Sequence, residues 1–273
     1  MVGIFDSGLG GLSALKEVRR LLPSEDIVYF GDTGRVPYGS RSKETIIKYA
    51  LQDMRFLMTH NVDAVMVACG TVSSNALDIM RAEFPHIPIV GVIDAGVNAA
   101  AATTKNKIIG IAGTLSTVAS RTFETKLHAI DDNFTVISKA CPLFVPLVEN
   151  GFVSPDDEIT RLTVERYLGC MREADADTVV MGCTHYPIIA HSIKKVLPDA
   201  RLINVGAAAA EELRDIIVTK DGFNPNRLGT VKYFVSDEPQ GFEATASVFL
   251  GEEIRESVTR IDIEKILKKL RRV

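Results

Sequence analysis

The chain has 273 residues, of which 46% are hydrophobic and 24% charged, and its formal net charge is −4. This composition can support a sizeable core in one large or two smaller domains, and the slightly acidic balance gives no reason to expect a nucleic acid partner. The start of the chain does not resemble a signal peptide and no apolar run approaches the roughly 20 residues that span a bilayer, so we expect a cytoplasmic protein with no membrane segment.

Short apolar runs alternate with amphipathic segments along almost the whole chain. Each run predicts a buried strand. The predicted strands are residues 2–5, 27–30, 64–68, 87–93, 107–112, 135–139, 178–182, 201–204 and 231–235. The runs are continuously apolar rather than alternating, and helical patterns separate them, which favours parallel sheets covered on both faces.

Three helices carry clear signals. Residues 12–22 place their leucines and a valine on one face. The segment 154–168 begins with Ser154 as a candidate N-cap and Pro155 at the first helical position, followed by acidic residues. The C-terminal segment 260–273 predicts an amphipathic surface helix with a basic outer face.

The chain also contains a repeat. Residues 62–71 (VDAVMVACGT) match residues 176–185 (ADTVVMGCTH), with a cysteine at the same offset, and residues 2–8 resemble residues 109–114. We therefore predict two similar three-layer α/β domains with mainly parallel sheets, related by pseudo-symmetry. Ligands of such sheets bind at the carboxyl ends of the strands, so the active site is expected in the cleft between the domains.

Two of the four cysteines, Cys69 and Cys183, end predicted strands, and a helix is expected to begin beside each. A helix N-terminus lowers the pKa of a thiol, and His185 can hold or deliver a proton. A single such cysteine would suggest a nucleophile, but two in duplicated halves suggest an acid and a base on opposite faces of a substrate. We expect Cys141 and Cys170 to be buried packing residues, and no cysteine spacing predicts a metal site.

Two loops allow more than one interpretation. The loop DSGLGGLS (residues 6–13) partly matches a dinucleotide-binding fingerprint, and it is equally typical of a tight turn before a helix. The loop TGRVPYGSRS (residues 33–42) contains Pro37, Tyr38 and Gly39 near a helix start, where backbone N–H groups suit a carboxylate. A plain turn would use the same residues.

Five motifs together carry a family resemblance. GIFDSGLGGLS, RVPYG, ACGT, ACPLFVPLVENG and GCTHYP occur in the order and spacing of bacterial glutamate racemases. The chain resembles this family, within the cofactor-independent aspartate/glutamate racemase superfamily, from Val2 to about Leu250. The resemblance implies conversion of L-glutamate to D-glutamate for peptidoglycan by a homodimer, with no cofactor and no metal. We expect a discontinuous first domain, 1–94 plus 206–273, and a second domain, 95–205.

The resemblance also assigns residues. It implies that Cys69 and Cys183 are the catalytic acid and base, the first acting on D-glutamate and the second on L-glutamate. It implies that Asp6, His185 and Glu149 assist the thiols. The implied substrate contacts are Asp6, Ser7, Pro37, Tyr38, Gly39, Gly70, Thr71, Thr184 and His185.

One departure from the family motifs concerns Gly70 in ACGT, where the family has an asparagine. Glycine offers no side-chain hydrogen bonds, so weaker substrate binding is expected, and an asparagine at this position should lower KM. Two alternatives follow from the same residue: a racemase or isomerase for a related amino acid or dicarboxylate, and a weakly active ligand-binding regulator.

Overall fold

A computed structural model describes residues 1–220, 223–254 and 256–270. Its strands form two parallel sheets. The strands are β1 Val2–Asp6, β2 Ile27–Gly31, β3 Ala64–Val67, β4 Ile89–Gly91, β5 Ile108–Gly113, β6 Thr135–Ala140, β7 Thr178–Met181, β8 Arg201–Asn204, β9 Val231–Val235 and β10 Val258–Arg260. The first sheet has the order β10-β9-β2-β1-β3-β4, and the second has the order β6-β5-β7-β8.

Helices connect the strands, as parallel pairing requires. They are α1 Leu12–Leu21, α2 Lys43–Met58, α3 Gly70–Glu83, α4 Val92–Thr103, α5 Leu115–Ala119, α6 Thr122–Ile130, α7 Phe144–Glu149, α8 Glu158–Glu173, α9 Ala190–Val196, α10 Val205–Val218, α11 Pro239–Leu250 and α12 Ile263–Leu270. Three short 3-10 helices cover Thr33–Arg35, Tyr38–Ser40 and Tyr186–Ile189. In the described part of the chain, none of the helices has the length and apolarity to cross a membrane.

The repeat in the sequence corresponds to a repeat in topology. The strand order β2-β1-β3-β4 in the first sheet equals β6-β5-β7-β8 in the second. The registers agree as well, since Phe5 pairs with Val67 in the first sheet and Ala112 pairs with Met181 in the second. The predicted class of two similar α/β domains with parallel sheets is therefore confirmed.

The predicted domain boundaries lie near two helices that join the sheets. Strands of the first sheet come from residues 2–91 and 231–260, and strands of the second come from residues 108–204. The predicted division at 94/95 falls inside α4 and the one at 205/206 falls at the start of α10. The larger core cluster includes buried residues of both helices and both sheets, so the halves share apolar packing. The boundaries themselves stay a prediction.

Several predicted elements need correction. The strand expected over 87–93 is only Ile89–Gly91, because α4 begins at Val92. The helix expected from Ser154 begins at Glu158, where Asp157 is the N-cap and its carboxylate accepts a hydrogen bond from the Thr160 amide. Strand β10 was not predicted, and its three residues are too few to show a pattern. The C-terminal helix is present, and residues 271–273 lie outside the described residues.

Candidate active site

A cavity of about 400 Å³ lies between the carboxyl ends of the two sheets. Every site residue predicted from the sequence lines it: Asp6, Ser7, Pro37, Tyr38, Gly39, Cys69, Gly70, Thr71, Glu149, Cys183, Thr184 and His185. These residues come from positions up to 179 apart in the chain, and the fold brings all of them to one place. The catalytic and substrate-binding roles that the resemblance implies for these residues stay predictions.

The two thiols occupy equivalent places in the two sheets. Cys69 follows β3 by two residues and is the N-cap of α3. Cys183 follows β7 by two residues, but only a four-residue 3-10 helix starts nearby, at Tyr186. The expectation of a helix start beside each cysteine is therefore correct for Cys69 and wrong for Cys183. Both cysteines are buried, and both line the cavity.

The surroundings of Cys69 are acidic. Its thiol donates to Ser7 Oγ at 3.4 Å, and burial together with the nearby Asp6 raises the pKa of Cys69 to about 12. The helix N-terminus was expected to lower this pKa, but desolvation has the larger effect. Asp6 is 1% exposed, and burial raises the pKa of its carboxyl as well. Cys69 is therefore a thiol, a proton donor, at neutral pH.

The two oxygens of the Asp6 carboxyl group differ in their hydrogen bonding. Its Oδ2 accepts a hydrogen bond from the Gly8 amide at 3.0 Å. In the part of the chain that the structure describes, its Oδ1 is buried without a hydrogen-bond partner. A buried polar atom without a partner is costly, so a bound cationic or hydrogen-donating group would stabilise this arrangement.

The surroundings of Cys183 contain a cationic histidine. Its Sγ lies 3.9 Å from His185 Nδ1, and His185 Nε2 lies 2.9 Å from Glu149 Oε1. Burial alone would lower the pKa of His185, but the hydrogen bonds with Cys183 and Glu149 outweigh burial and raise this pKa to about 10. The ring of Phe249, on α11, meets the imidazole edge to face at 5.1 Å between centroids. His185 is thus held as an imidazolium beside the second thiol.

The other two cysteines differ from expectation. Cys141 is fully buried, as expected, but it also lines the cavity, and burial raises the pKa of its thiol. Cys170 was expected to be buried and is exposed on α8. Its neighbours Leu168 and Met171 face the core, so one helical position separates the buried face from solvent.

One threonine of the cavity wall, Thr114, was not predicted from the sequence. Thr114 lines the cavity, and its hydroxyl lies 3.1 Å from that of Thr71 and 2.9 Å from that of Thr117. The signal for Thr114 is the match between residues 2–8 and 109–114, which places it at the position that Ser7 has in the first sheet. The threonines join the two halves across the cavity.

The Pro37–Gly39 segment contributes its backbone to the cavity. The phenol of Tyr38 turns away, since its hydroxyl is hydrogen-bonded to the buried carboxyl groups of Asp32 and Asp53. Tyr38 begins a 3-10 turn that ends at Ser40. The first amides of such a turn have no acceptor within it, so they are available to an anionic ligand.

Two glycines allow the halves to meet closely. A β-carbon built at Gly70 would lie 2.4 Å from the carbonyl oxygen of Gly182, and one built at Gly10 would lie 2.1 Å from Thr184 Oγ1. Gly70 thus permits a backbone contact between the two thiol-bearing loops. The lower KM expected for an asparagine at position 70 stays a prediction, and this geometry argues against it, because the side chain cannot enter without moving backbone.

No metal centre is apparent in the described ranges, 1–220, 223–254 and 256–270, which contain no group of three His, Cys, Asp or Glu side chains placed to bind one ion. The cavity instead combines three thiols, an imidazolium, two carboxyls and several hydroxyl and amide groups. These groups can move protons to and from a small polar ligand, and they can bind both positively and negatively charged groups of that ligand.

Comparison with known proteins gives consistent results. The sequence profile of Asp/Glu/Hydantoin racemases matches residues 13–213. The chain is 43% identical over 265 residues to the glutamate racemase of Persephonella marina, covering 97% of this chain and 98% of that protein. A glutamate racemase from Chlorobaculum tepidum is 42% identical over 255 residues, 93% of each chain.

A solved structure is similar over nearly the whole chain. It is the crystal structure of glutamate racemase from Francisella tularensis in complex with D-glutamate. The two superpose with a TM-score of 0.90 at 35% sequence identity, covering 97% of this chain and 98% of that one.

Proposed function

The chain belongs to the Asp/Glu/Hydantoin racemase family and is an isomerase, and from this premise we propose that it interconverts L-glutamate and D-glutamate by proton transfer between Cys69 and Cys183, without a cofactor. The observation that carries the proposal is the position of the thiols. Each lies two residues beyond the equivalent strand of its sheet, β3 for Cys69 and β7 for Cys183, and both line one cavity. A base and an acid on opposite faces of a carbon are what inversion by proton transfer requires.

The proposed reaction of L-glutamate begins at Cys183. The imidazolium of His185 donates Nδ1–H toward a Cys183 thiolate, which takes the Cα proton: the C–H bond breaks and an S–H bond forms. The electron pair left on Cα accepts the proton of the Cys69 thiol on the other face. After one turnover the proton resides on Cys183 and Cys69 is the thiolate, which is the state that acts on D-glutamate.

The charges of the cavity suit an amino acid with two carboxylates. We place the substrate ammonium at the free Oδ1 of Asp6, which would also lower the pKa of that carboxyl. The hydroxyls of Thr71 and Thr114 and the amides of the Tyr38–Ser40 turn suit the carboxylates. Each thiol must lie about 3–3.5 Å from the reacting atoms, so we expect the two sulfurs roughly 7 Å apart with substrate bound.

The wider role extends the same proposal. The Francisella tularensis protein was crystallised with D-glutamate, and the motif resemblance links the family to the cell wall. We infer that this chain supplies D-glutamate for peptidoglycan in the cytoplasm and acts as a homodimer. Light scattering of the purified protein tests the dimer directly, since a monomer mass at micromolar concentration would contradict it.

The decisive experiment is a circular-dichroism assay with L-glutamate, followed until the signal vanishes, and repeated from D-glutamate. The equilibrium constant of a racemisation is one, so both reactions should reach zero rotation and have equal kcat/KM. L-aspartate is the control substrate. Turnover of aspartate but not glutamate would favour the alternative of a related substrate, and turnover of neither would favour a ligand-binding regulator.

A further inference from the structure

A buried polar cluster lies behind the cavity wall, in the first half of the molecule. It consists of Asp32, Arg35, Tyr38 and Asp53, which we call the Asp32–Asp53 cluster. Both aspartate side chains are 0% exposed, and the guanidinium side chain of Arg35 is 15% exposed. The cluster joins the end of β2, the short helix Thr33–Arg35, the cavity-lining turn and α2.

The contacts of the cluster are close and specific. Arg35 Nε donates to Asp32 Oδ2 at 2.6 Å, and Arg35 Nη2 donates to Asp53 Oδ1 at 2.7 Å. Ser236 Oγ donates to Asp32 Oδ1 at 2.7 Å. The Tyr38 hydroxyl contacts Asp32 Oδ2 closely and lies 3.1 Å from Asp53 Oδ2. Asp32 therefore accepts three hydrogen bonds, as an ionised carboxylate does.

The protons of the cluster can be counted. A phenol has one proton, and the closer contact assigns it to Asp32. The contact between Asp53 Oδ2 and the Tyr38 oxygen then needs a proton on Asp53. Burial first, and the neighbouring Asp32 second, raise the pKa of Asp53, which agrees with this count. One guanidinium then balances one carboxylate, and no unpaired charge is buried.

The cluster acts on the cavity through Tyr38. Residues 37–40 line the cavity from the first half, and they reach across to the second half at Gly39. A β-carbon built at Gly39 would lie 3.3 Å from Thr114 Cβ, so this backbone packs directly on the threonine. A shift of the Tyr38 ring would therefore also move the backbone of residues 37–40 at the cavity wall. The ring is also bounded by Tyr49, whose centroid is 5.4 Å away, and Arg35 lies 4.2 Å above the Tyr49 ring.

We propose that Asp53 and Arg35 are positioning residues for the racemase reaction, and that a neutral Asp53 beside an ionised Asp32 holds Tyr38 so that residues 37–40 form the carboxylate-binding wall. The inference rests on the proposed function of the cavity. It places the effect of the cluster on substrate binding, and therefore on KM, because none of its charged groups touches the thiols.

The test compares two isosteric substitutions. Asp53→Asn keeps an acceptor for Arg35 and supplies an N–H donor to the Tyr38 oxygen, so it mimics a neutral acid, and we expect KM for glutamate within about twofold of the unsubstituted enzyme. Asp32→Asn removes the counter-charge of Arg35, and we expect KM to rise about tenfold or more with kcat nearly unchanged. Asp53→Ala should raise KM similarly, which makes asparagine the rescuing residue.

Matched controls keep the test falsifiable. Arg55→Ala, on the same helix α2, removes an exposed pair with Glu83 and should change neither parameter. If Asp32→Asn fails to fold, Tyr38→Phe takes its place in the test. This variant removes only the hydroxyl and should raise KM. Equal damage from Asp53→Asn and Asp32→Asn, or a loss of kcat at constant KM, would overturn the inference.

Thermal unfolding separates this inference from the proposed function. An unsubstituted protein that does not racemise glutamate would reject the proposed function alone. The order of midpoints, with Asp53→Asn near the unsubstituted protein and Asp32→Asn clearly below it, would still support the proton count of the cluster. The reverse order would reject that count.

Discussion

The two thiol sites have the same backbone topology and opposite electrostatics. Cys69 follows β3 in the six-stranded sheet and Cys183 follows β7 in the four-stranded sheet, and these two strands hold the same place in the strand order that the sheets share. Around Cys69, burial and Asp6 keep the thiol protonated, whereas His185 beside Cys183 is an imidazolium. The pseudo-symmetric scaffold therefore places a protonated thiol on one side and a cationic group beside the thiol on the other.

The difference arises at equivalent positions of the repeat. Asp6 follows Phe5 on β1, and the residue in its place on β5 is Gly113, after Ala112. His185 stands two residues beyond Cys183, where the first half has Thr71 beyond Cys69. A duplicated backbone supplies two thiols at matching sites, and different residues at neighbouring positions give the two thiols different electrostatic surroundings. Under the proposed function, this difference assigns each thiol to one enantiomer.

The largest expected effect comes from removing either thiol. Cys69→Ala and Cys183→Ala should each lower kcat for racemisation by about a thousandfold or more, because each removes an essential proton carrier. Deuterium exchange at Cα, followed by proton NMR in D2O, separates the sites. Cys183→Ala should still exchange D-glutamate but not L-glutamate, and Cys69→Ala should show the reverse.

The control for the thiols is Cys170→Ala, on the exposed face of α8, which should leave kcat and exchange unchanged. Exchange of both enantiomers by either single variant would show that one thiol serves both faces. That result would contradict the assignment of one enantiomer to each thiol.

A smaller effect is expected where the two sites touch. Gly70→Ala places a β-carbon against the Gly182 carbonyl oxygen, so the two loops must separate. We expect a loss of about 1–3 kcal/mol in the free energy of unfolding and a decrease of about tenfold in kcat, since reacting groups move apart. A circular-dichroism assay of racemisation measures kcat, and urea unfolding measures the free energy of unfolding.

Gly169→Ala is the matched glycine control. It lies within α8, and a β-carbon there would meet only the flexible carboxylate end of Glu165, at 3.2 Å. Helix propensity predicts that this change stabilises the protein by about 0.5–1 kcal/mol without changing kcat.

A lower KM for Gly70→Asn than for the unsubstituted enzyme would contradict the steric argument at Gly70.

The imidazolium beside Cys183 predicts a pH-dependent stability. The pKa of His185 is about 10 in the folded protein against an ordinary value of 6.5, so proton binding stabilises the fold. This contribution is complete below pH 6.5, decreases between pH 6.5 and 10, and is lost above pH 10. His185→Gln should therefore lower the unfolding midpoint at pH 6 by several degrees, and the difference should shrink toward pH 10.5.

Differential scanning fluorimetry at pH 6, 8 and 10.5 measures this dependence. His128→Gln is the control, because this histidine lies at the end of α6, away from the cavity lining. A midpoint difference for His185→Gln that grows with pH would mean that the folded protein holds a neutral imidazole.

The smallest effect is expected at Glu149. Its carboxylate accepts from His185 at 2.9 Å but is 43% exposed, so solvent screens the pair. Glu149→Gln should lower the rate of L-glutamate exchange by only a few-fold and leave D-glutamate exchange nearly unchanged. An equal decrease for both enantiomers would assign Glu149 to substrate binding instead of to the Cys183 side.

The sequence by itself determined the class of fold and the membership of the cavity. Continuous apolar strands can be stable only in covered parallel sheets, so local pattern was sufficient for the fold. The family motifs, and not local pattern, indicated the twelve predicted residues that line the cavity, and Thr114 was not among them. Short elements and edges were less predictable: α4 begins at Val92 within an apolar run, and α8 begins at Glu158 because the side chain that caps it belongs to Asp157 and not to Ser154.

Only the tertiary structure decided how the site residues act. The sequence predicts a helix after each cysteine and therefore a lowered thiol pKa. In the structure, burial and the approach of Asp6 raise the pKa of Cys69, and both depend on contacts between distant segments. The carbonyl of Gly182 occupies the space beside Gly70, 112 residues away in the chain, so the effect of a side chain there cannot be read from residue type. Proton affinity and steric fit are properties of surroundings, and the surroundings exist only after the two halves have packed together.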